Sequence, residues 1–322
     1  MRLGKLSNEQ LEALVLSKFK KTRPESLGAP QIGEDCAALD FQGDLIELST
    51  DPITSARINT IGALTVHVSC NDAAAAGADP VALMVTLLAP PSATEAEIGR
   101  IADDLAAAAK SAGVDIVGGH TEVTDAVTRY VTNTTVIARI ARDRILPGPS
   151  AGDEIVMTKW AGLEGSAIIA SDYPERLSAL APGTIRRACD FSSLLSVVPE
   201  GRIAAKNGAT AMHDVTEGGV FGAAWELAYC HGLGVVLDHT KVPVKPETTE
   251  ICNLLSLDVH RLISSGSMLI ACPDGKAMCA ALAQADIPAA VIGQLVDSGM
   301  HLADGREISP PEADELYRLF QG

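Results

Sequence analysis

Ser69-Cys70-Asn71-Asp72-Ala73-Ala74-Ala75-Ala76-Gly77-Ala78-Asp79-Pro80 holds a carboxylate where packing gives it little reason to be. Thr60 to Ala76 is Ala-rich and reads as a helix. Gly77 stands where the first left-handed residue beyond a helix is most often glycine. Inside that helix Asn71 and Asp72 have small neighbours on both sides. A solvent-facing position would account for Asp72 without any function. A hard oxygen ligand for Mg²⁺ would account for it equally, because that ion binds through a few carboxylates and completes its shell with water and phosphate oxygens.

Three further acidic elements flank this one: Gly33-Glu34-Asp35-Cys36-Ala37, Ser49-Thr50-Asp51 and His213-Asp214-Val215-Thr216-Glu217-Gly218-Gly219. Each sets a carboxylate beside glycine or a small polar residue. A short strand is expected over Asp44 to Ser49, with Asp51 at its end. It either caps a turn there or meets a ligand, since ligands gather at strand C-termini in α/β sheets. Asp214 precedes a helix expected over Val220 to Tyr229. It serves as the N-cap, or the backbone N–H groups of that turn cradle a phosphate.

The remaining chain alternates helical and strand-like runs. Leu6 to Phe19 has an amphipathic helical stripe. Val81 to Leu88 is an apolar strand stopped by Pro90-Pro91. Thr94 and Glu97 form a capping box for a helix running to Ala112. Val114 to Val117 reads as a buried strand feeding the loop Gly118-Gly119-His120-Thr121-Glu122, and Arg129 to Ile140 as another strand. Ile145 to Asp153, rich in proline and glycine, marks the junction between two domains, 1–144 and 145–322. Strands over Glu154–Thr158, Gly234–Asp238, Ser267–Cys272 and Ala289–Leu295 then alternate with helices, and Glu312 to Phe320 is helix-like.

Of the 322 residues, 47% are hydrophobic and only 3% aromatic, so a large core must be built from Ala, Val, Leu and Ile. The net charge of −16 and the lack of a basic patch beyond Lys18, Lys20, Lys21 and Arg23 argue against a nucleic-acid partner. No apolar run approaches a membrane span, and the N-terminus lacks the apolar segment of a signal peptide. Seven scattered cysteines with no Cys-x-x-Cys suit buried free thiols in a reducing, cytoplasmic setting. Cys272 and Cys279 lie in apolar segments, where a thiol pKa should rise. The sequence has no P-loop, no dinucleotide fingerprint, no HExxH and no GxSxG.

The order of these motifs resembles the AIR synthase-like superfamily, which includes aminoimidazole ribonucleotide synthetase, selenophosphate synthetase, thiamine-monophosphate kinase and the hydrogenase-maturation HypE proteins. The resemblance covers nearly the whole chain and is nearest to the HypE branch. It rests on Ile32-Gly33-Glu34-Asp35, Ser49-Thr50-Asp51, Asn71-Asp72 with Gly77-Ala78-Asp79-Pro80, Ala112 to Val117, and Thr216-Glu217-Gly218-Gly219 with Glu226. It implies a two-domain α/β (α+β) fold whose N-terminal domain contributes to a β-barrel across a homodimer, with a C-terminal α/β domain behind it. It implies ATP and Mg²⁺ between the domains and phosphoryl transfer to an unidentified acceptor.

Under that resemblance Asp35, Asp51, Asp72 and Asp214 would hold Mg²⁺. Gly33, Asn71, Gly118, Gly119, Thr121, Thr216, Gly218 and Gly219 would line the nucleotide. His120 and Glu122, a titratable pair on one loop, are the candidate acid and base. A maturation-factor protein is an implied partner. The sequence departs from the HypE pattern where Glu122 stands for lysine, where Ser264-Ser265-Gly266-Ser267 replaces Asn-Glu-Gly-Lys, and in its last cysteine, Cys279. Self-directed HypE dehydration on a tail thiol is therefore not expected. The alternatives are a small-molecule kinase or synthetase like the other superfamily members, and a nucleotide-binding maturation partner without chemistry.

Overall fold

The computed structural model describes residues 8–9, 32, 37–40, 43, 45–140, 142–311 and 313–320. The helix expected over Leu6 to Phe19 lies outside them, apart from helical Asn8 and Glu9, as do Gly33 and Asp35.

The first sheet contains β1 (Ala37–Asp40), β2 (Leu45–Ile53), β3 (Asp79–Ala89), β4 (Asp115–Val123) and β5 (Val131–Ile140), in the order β1-β2-β5-β3-β4. Its pairs are antiparallel except β3 with β4, which run parallel. A parallel pair needs a long crossover. Here α2 (Glu95–Ala112) supplies it, started by the Thr94–Glu97 capping box and ended at Gly113 in the left-handed region.

α1 (Ile61–Ala75) lies on the same face of the sheet. It has no polar stripe, and every residue but Ala63 is buried, the pattern of a helix enclosed on all sides. Its end is built as the sequence implied. Gly77 takes φ +78°, its N–H reaches the Ala74 carbonyl at 3.0 Å, and that of Ala78 reaches Ala73 at 2.9 Å, a Schellman closure.

The second sheet has six strands in the order β11-β8-β10-β6-β9-β7. These are β6 (Glu154–Thr158), β7 (Ala211–Asp214), β8 (Gly234–Leu237), β9 (Met268–Cys272), β10 (Ala289–Val296) and β11 (Met300–Leu302). Around it pack α3 (Leu163–Asp172), α4 (Pro182–Cys189), α5 (Val198–Lys206), α6 (Gly219–Cys230), α7 (Pro246–Leu255) and α8 (Gly275–Ala283). The mixed α/β architecture, with a sheet in each half, is the one the sequence implied.

One core runs from the first sheet through α1 and α2 into α3 and α5 of the second half. A separate core joins the second sheet to α6 through Val220, Phe221 and Trp225. α1 is therefore shared by both halves. Gly201 makes part of this possible: a Cβ there would lie 2.5 Å from the Ala74 carbonyl oxygen, so only glycine lets α5 sit this close to α1.

Four local expectations are corrected. The strand expected over Asp44–Ser49 continues to Ile53, because Asp51, Pro52 and Ile53 pair with Thr134, Asn133 and Thr132 of β5. Among the described residues β1 pairs with residues 45–48 of β2 and none pairs with Pro52 on that edge, where a proline is tolerated. The strand expected to be buried at Val114–Val117 forms from Asp115, and all of β4 is exposed, since among the described residues it is an edge strand paired only with β3. The loop expected at Gly118–Glu122 is the body of β4. Gly119 has φ +146° there, and a Cβ would stand 1.8 Å from the Val85 carbonyl oxygen. The C-terminal segment is a short 3-10 turn, Glu315–Phe320, with Leu316 and Leu319 buried.

Candidate active site

Strand alternation decides which site residues can meet. On β2 the buried positions are Leu45, Glu47 and Ser49, so Asp51 projects to the same face, beneath α1. On β5 the buried partners are the even-numbered residues, among them Thr134 opposite Asp51. The Ser49 hydroxyl donates to the carboxylate of Asp72 on α1, and the Ser69 hydroxyl to the Thr134 carbonyl at 3.3 Å. Asp72, only 4% exposed, thus hangs from α1 over β2. Asp51 lies two residues along the strand from its Ser49 partner, roughly 7 Å.

His120 and Glu122 project the other way. Thr86 and Leu88 of β3 lie opposite them in register, on the face opposite buried Val85 and Leu87. Their side chains are 64% and 54% exposed and meet at 3.3 Å. In one chain the proposed acid/base pair and the carboxylates Asp51 and Asp72 occupy opposite faces of one sheet. Gly118 sits on the His120 face, while Gly119 and Thr121 alternate to the helix side.

The amide of Asn71 is fully engaged. Its nitrogen donates to the Leu195 carbonyl and its oxygen accepts from the Val197 N–H, both at 2.8 Å. Lys159 grips the same segment, donating to the carbonyls of Leu194 at 2.8 Å and Ser196 at 2.6 Å while paired with buried Glu200 at 2.7 Å. Asp172 makes a second latch between the halves, accepting from the Arg57 N–H at 2.8 Å and from the Thr60 hydroxyl at 3.1 Å. These pairs are separated by dozens of residues, and no local pattern announces them. The structure makes Asn71 a tie between halves in addition to any part it has in ligand binding.

Asp214 ends β7, packed beside α1, and is 1% exposed. It is not the N-cap of α6; Gly218 is, with φ +84°. The His213 ring reaches the Asp214 carbonyl at 2.7 Å and stands 3.8 Å from the Glu226 carboxylate. The Gly218 N–H is accepted by Asp314 at 2.9 Å, and Asp314 also accepts from Leu316. Burial and the nearby Glu217 push the Asp314 carboxyl up to about 7 despite those bonds. The C-terminal turn thus occupies one donor of the Thr216–Gly219 loop, and the Tyr317 hydroxyl donates to Glu217 at 3.0 Å. The thiols behave as their surroundings dictate: burial pushes Cys272 up to about 12 and raises Cys279.

Among the described residues no three imidazole, thiol or carboxylate groups converge into a metal cage. Mg²⁺ needs fewer, because one or two carboxylates with phosphate oxygens and water suffice. Asp51 and Asp72 are the right donor type for that arrangement. The buried Thr134 hydroxyl opposite Asp51 has no hydrogen-bond partner among the described residues, so a polar group brought there would find an oxygen to meet. The residues present fit the ion.

Comparisons with known proteins bear on the family and the fold. Residues 33–140 match the family described as AIR synthase related protein, N-terminal domain, and residues 150–303 match its C-terminal domain. The carbamoyl dehydratase HypE of Cupriavidus necator is 31% identical over 76% of this chain and 70% of its own. That of Rhodobacter capsulatus is 28% identical over 91% and 86%. The crystal structure of Escherichia coli HypE superposes with a TM-score of 0.74 at 26% identity, covering 97% of this chain and 99% of that one. HypE from a HypE–HypF complex gives 0.71 at 25% identity over 85% and 93%. A HypE solved with ATP gives 0.73 over 98% of each chain at 24% identity, a likeness of fold. Two family domains in tandem and relatives matched across most of their length leave one assignment: the chain belongs to the AIR synthase-related family and is HypE-like within it.

Proposed function

We propose that this chain is an ATP-dependent enzyme of the HypE type that activates a carbonyl or amide oxygen of an acceptor by phosphoryl transfer. The observation that carries the reading is the Ser49–Asp72 contact beside Asp51, which aligns hard oxygen donors along one face of β2 beneath α1. Asp51 and Asp72 would hold Mg²⁺, joined by Asp35 and Gly33 from the start of the family match and by Asp214 from β7. When bound, the ion neutralises charge on the phosphates during transfer. Gly119, Thr121, Thr216 and Gly219 would line the nucleotide. Asn71 and Lys159 would fix the 194–197 segment against α1 and so set the distance between the halves.

For a carbamoyl acceptor the bonds balance simply. The carbamoyl oxygen attacks the γ-phosphorus, the bond from that phosphorus to the bridging oxygen breaks, and ADP leaves. Loss of phosphate together with both amide protons then yields a nitrile. The named activity of the relatives supports this choice of acceptor.

The reading includes a homodimer. Among the described residues no layer covers the face of the first sheet away from α1, yet it carries Leu48, Met84, Leu88 and Ile137, and no described strand pairs the outer edge of β4, where Val117 is 61% exposed. An open edge and a bare apolar face invite a second strand layer. A second copy would also cover His120 and Glu122 and allow them to act as proton carriers. A maturation protein as partner is supported by the relative solved with HypF.

Calorimetry tests the core of the proposal. Wild-type protein should bind Mg·ATP, and Asp72→Asn should weaken it by about a hundredfold, the scale of losing one charge-assisted ligand. Equal affinity in wild type and variant would remove Asp72 from the metal site.

A further inference from the structure

A cavity of about 250 Å³ opens between α1, α2 and α3, beneath none of the carboxylates assigned to nucleotide or metal. Its rim is formed by Asn59 and Ala107, both exposed, and its walls by Leu64 and Ile168. Three buried polar side chains line it: Thr60, whose hydroxyl is bonded to Asp172, His67, 8% exposed, and Glu164, 4% exposed. His67 Nδ1 and Glu164 Oε2 are buried and have no hydrogen-bond partner among the described residues, although Ser265 engages the Glu164 carboxyl through its backbone and side chain. An unmade bond on such a group costs about 1–3 kcal/mol, and two in one cavity ask for a ligand that makes them.

We infer that this cavity is a binding site for a small uncharged molecule bearing a carboxamide. The imidazole, when neutral, offers one N–H and one lone pair, and the Glu164 oxygen offers an acceptor or, when protonated, a donor. A primary amide presents an N–H₂ donor and a carbonyl acceptor in one plane, so it can engage both groups at once. The apolar walls take the rest of such a molecule.

The charges disfavour ions. Asp104 stands on the cavity wall, and Asp314 and Glu217 face Glu164 from the second half, so an anion meets repulsion. Lys159 acts on His67 from the other side, so a cation meets it there. Burial first, then Lys159, lowers the His67 pKa to about 4, and burial raises that of Glu164 to about 7. Both shifts favour the neutral forms. Because the cavity walls come from α1 and α2 on one side and α3 on the other, an occupant would hold the two halves of the chain together. The inference does not depend on the proposed nucleotide chemistry.

Isobutyramide is a suitable probe, with isobutyrate and methyl isopropyl ketone as the charged and donor-free controls. Methyl NMR of the full chain should show saturable shifts at Leu64 and Ile168 with the amide. The two controls should bind about tenfold more weakly or worse, the worth of one hydrogen bond to a buried group. Ala107→Trp, at the exposed rim, should block all three. Glu164→Leu should erase the preference for the amide, and Glu164→Gln, which still donates and accepts, should restore it. Shifts that rise linearly without saturation would mean that water alone fills the cavity and would overturn the inference. So would isobutyrate binding as tightly as the amide, or amide shifts unchanged in Ala107→Trp. Should Glu164→Leu not fold, the rim variant and Glu164→Gln still decide the matter.

Discussion

On one face of the first sheet alternate side chains of β2, β3 and β5 are buried toward α1; on the other, the sheet presents Thr50, Met84, His120 and Glu122 outward. The packed face carries Ser49, Asp51 and Thr134, of which Ser49 and Thr134 are hydrogen-bonded to Asp72 and Ser69 of a helix that belongs equally to the second half. The opposite face carries apolar residues and a titratable pair with no second layer among the described residues. Sequence order places all these residues within one family pattern. Strand alternation separates them, because neighbours along a strand point to opposite sides. Under the proposed function, half of the site would be assembled within one chain and the other half would need a partner surface.

The largest expected effect comes from spoiling the bare face. Met84→Glu puts a charge at the centre of the surface proposed to be shared, where desolvating it would cost several kcal/mol. Light scattering should show the wild type as a dimer at micromolar concentration and the variant as a monomer. A wild-type monomer would break the comparison at once, by showing that the bare face is simply a solvated one.

Next in size is the tie on the packed side. Asn71→Ala removes both partners of buried backbone groups at Leu195 and Val197. The expected loss is about 2–4 kcal/mol of unfolding free energy. Thr135→Ala removes a hydroxyl that donates to Thr50 on the exposed face at 3.2 Å and should cost less than about 0.5 kcal/mol. Urea unfolding of the two variants measures the contrast directly, and equal losses would erase it.

Much of this fold was legible in the residues. Gly77 and Gly113 ended their helices where their backbone freedom implied, and Thr94 with Glu97 started α2. These signals act over a turn or less, so sequence exposes them. The reading of Val114–Val117 as buried failed because an apolar run is the same in a central and an edge strand; only pairing order distinguishes them. Asp72 was legible as anomalous, and its burial against Ser49 explains the anomaly. The role of Asn71 as a tie, the grip of Lys159, the capping of Gly218 by Asp314 and the His67–Glu164 cavity were not legible. Each joins residues far apart in the chain, and their local surroundings look ordinary.

Smaller is a change in how stability varies with pH. The raised carboxyls of Glu164 and Asp314, each brought up to about 7, keep their protons in the folded state after the unfolded chain has released them near its ordinary values of 4.5 and 3.8. Their contribution is complete below about pH 4. It is lost as pH rises to 7. His67, lowered from 6.5 to about 4, works in the opposite sense: the unfolded chain takes up a proton below 6.5 that the folded one refuses, so stability grows as pH rises from 4 to 6.5. Two falling contributions oppose one rising one. Glu164→Gln should therefore flatten the decline between about pH 4.5 and 6.5 by one proton, about 1.4 kcal/mol per pH unit. Denaturant midpoints of wild type and variant across that range measure the difference; parallel curves would show that Glu164 titrates alike folded and unfolded.

The smallest expected effect tests the separation of the faces most directly. His120 and Asp72 would both be site residues under the proposed function, yet within one chain they lie on opposite sides of β2, β5 and β3. If Mg·ATP is held by the packed face alone, His120→Ala should change its affinity by about twofold or less, the range of an exposed substitution with no direct bond. Turnover is a separate matter, because a positioned acid or base contributes about 10²–10⁴ to rate and, under the proposed dimer, His120 would need the second copy to bring it over the acceptor. Combining His120→Ala with Met84→Glu sharpens the point. In the monomer the affinity effect of His120→Ala should stay small, while turnover is already lost and cannot fall further. Should His120→Ala weaken Mg·ATP binding in the dimer as much as Asp72→Asn does, the nucleotide would be gripped by both faces at once. The sheet would then be a wall between two halves of one composite site, completed across the dimer by the neighbouring copy.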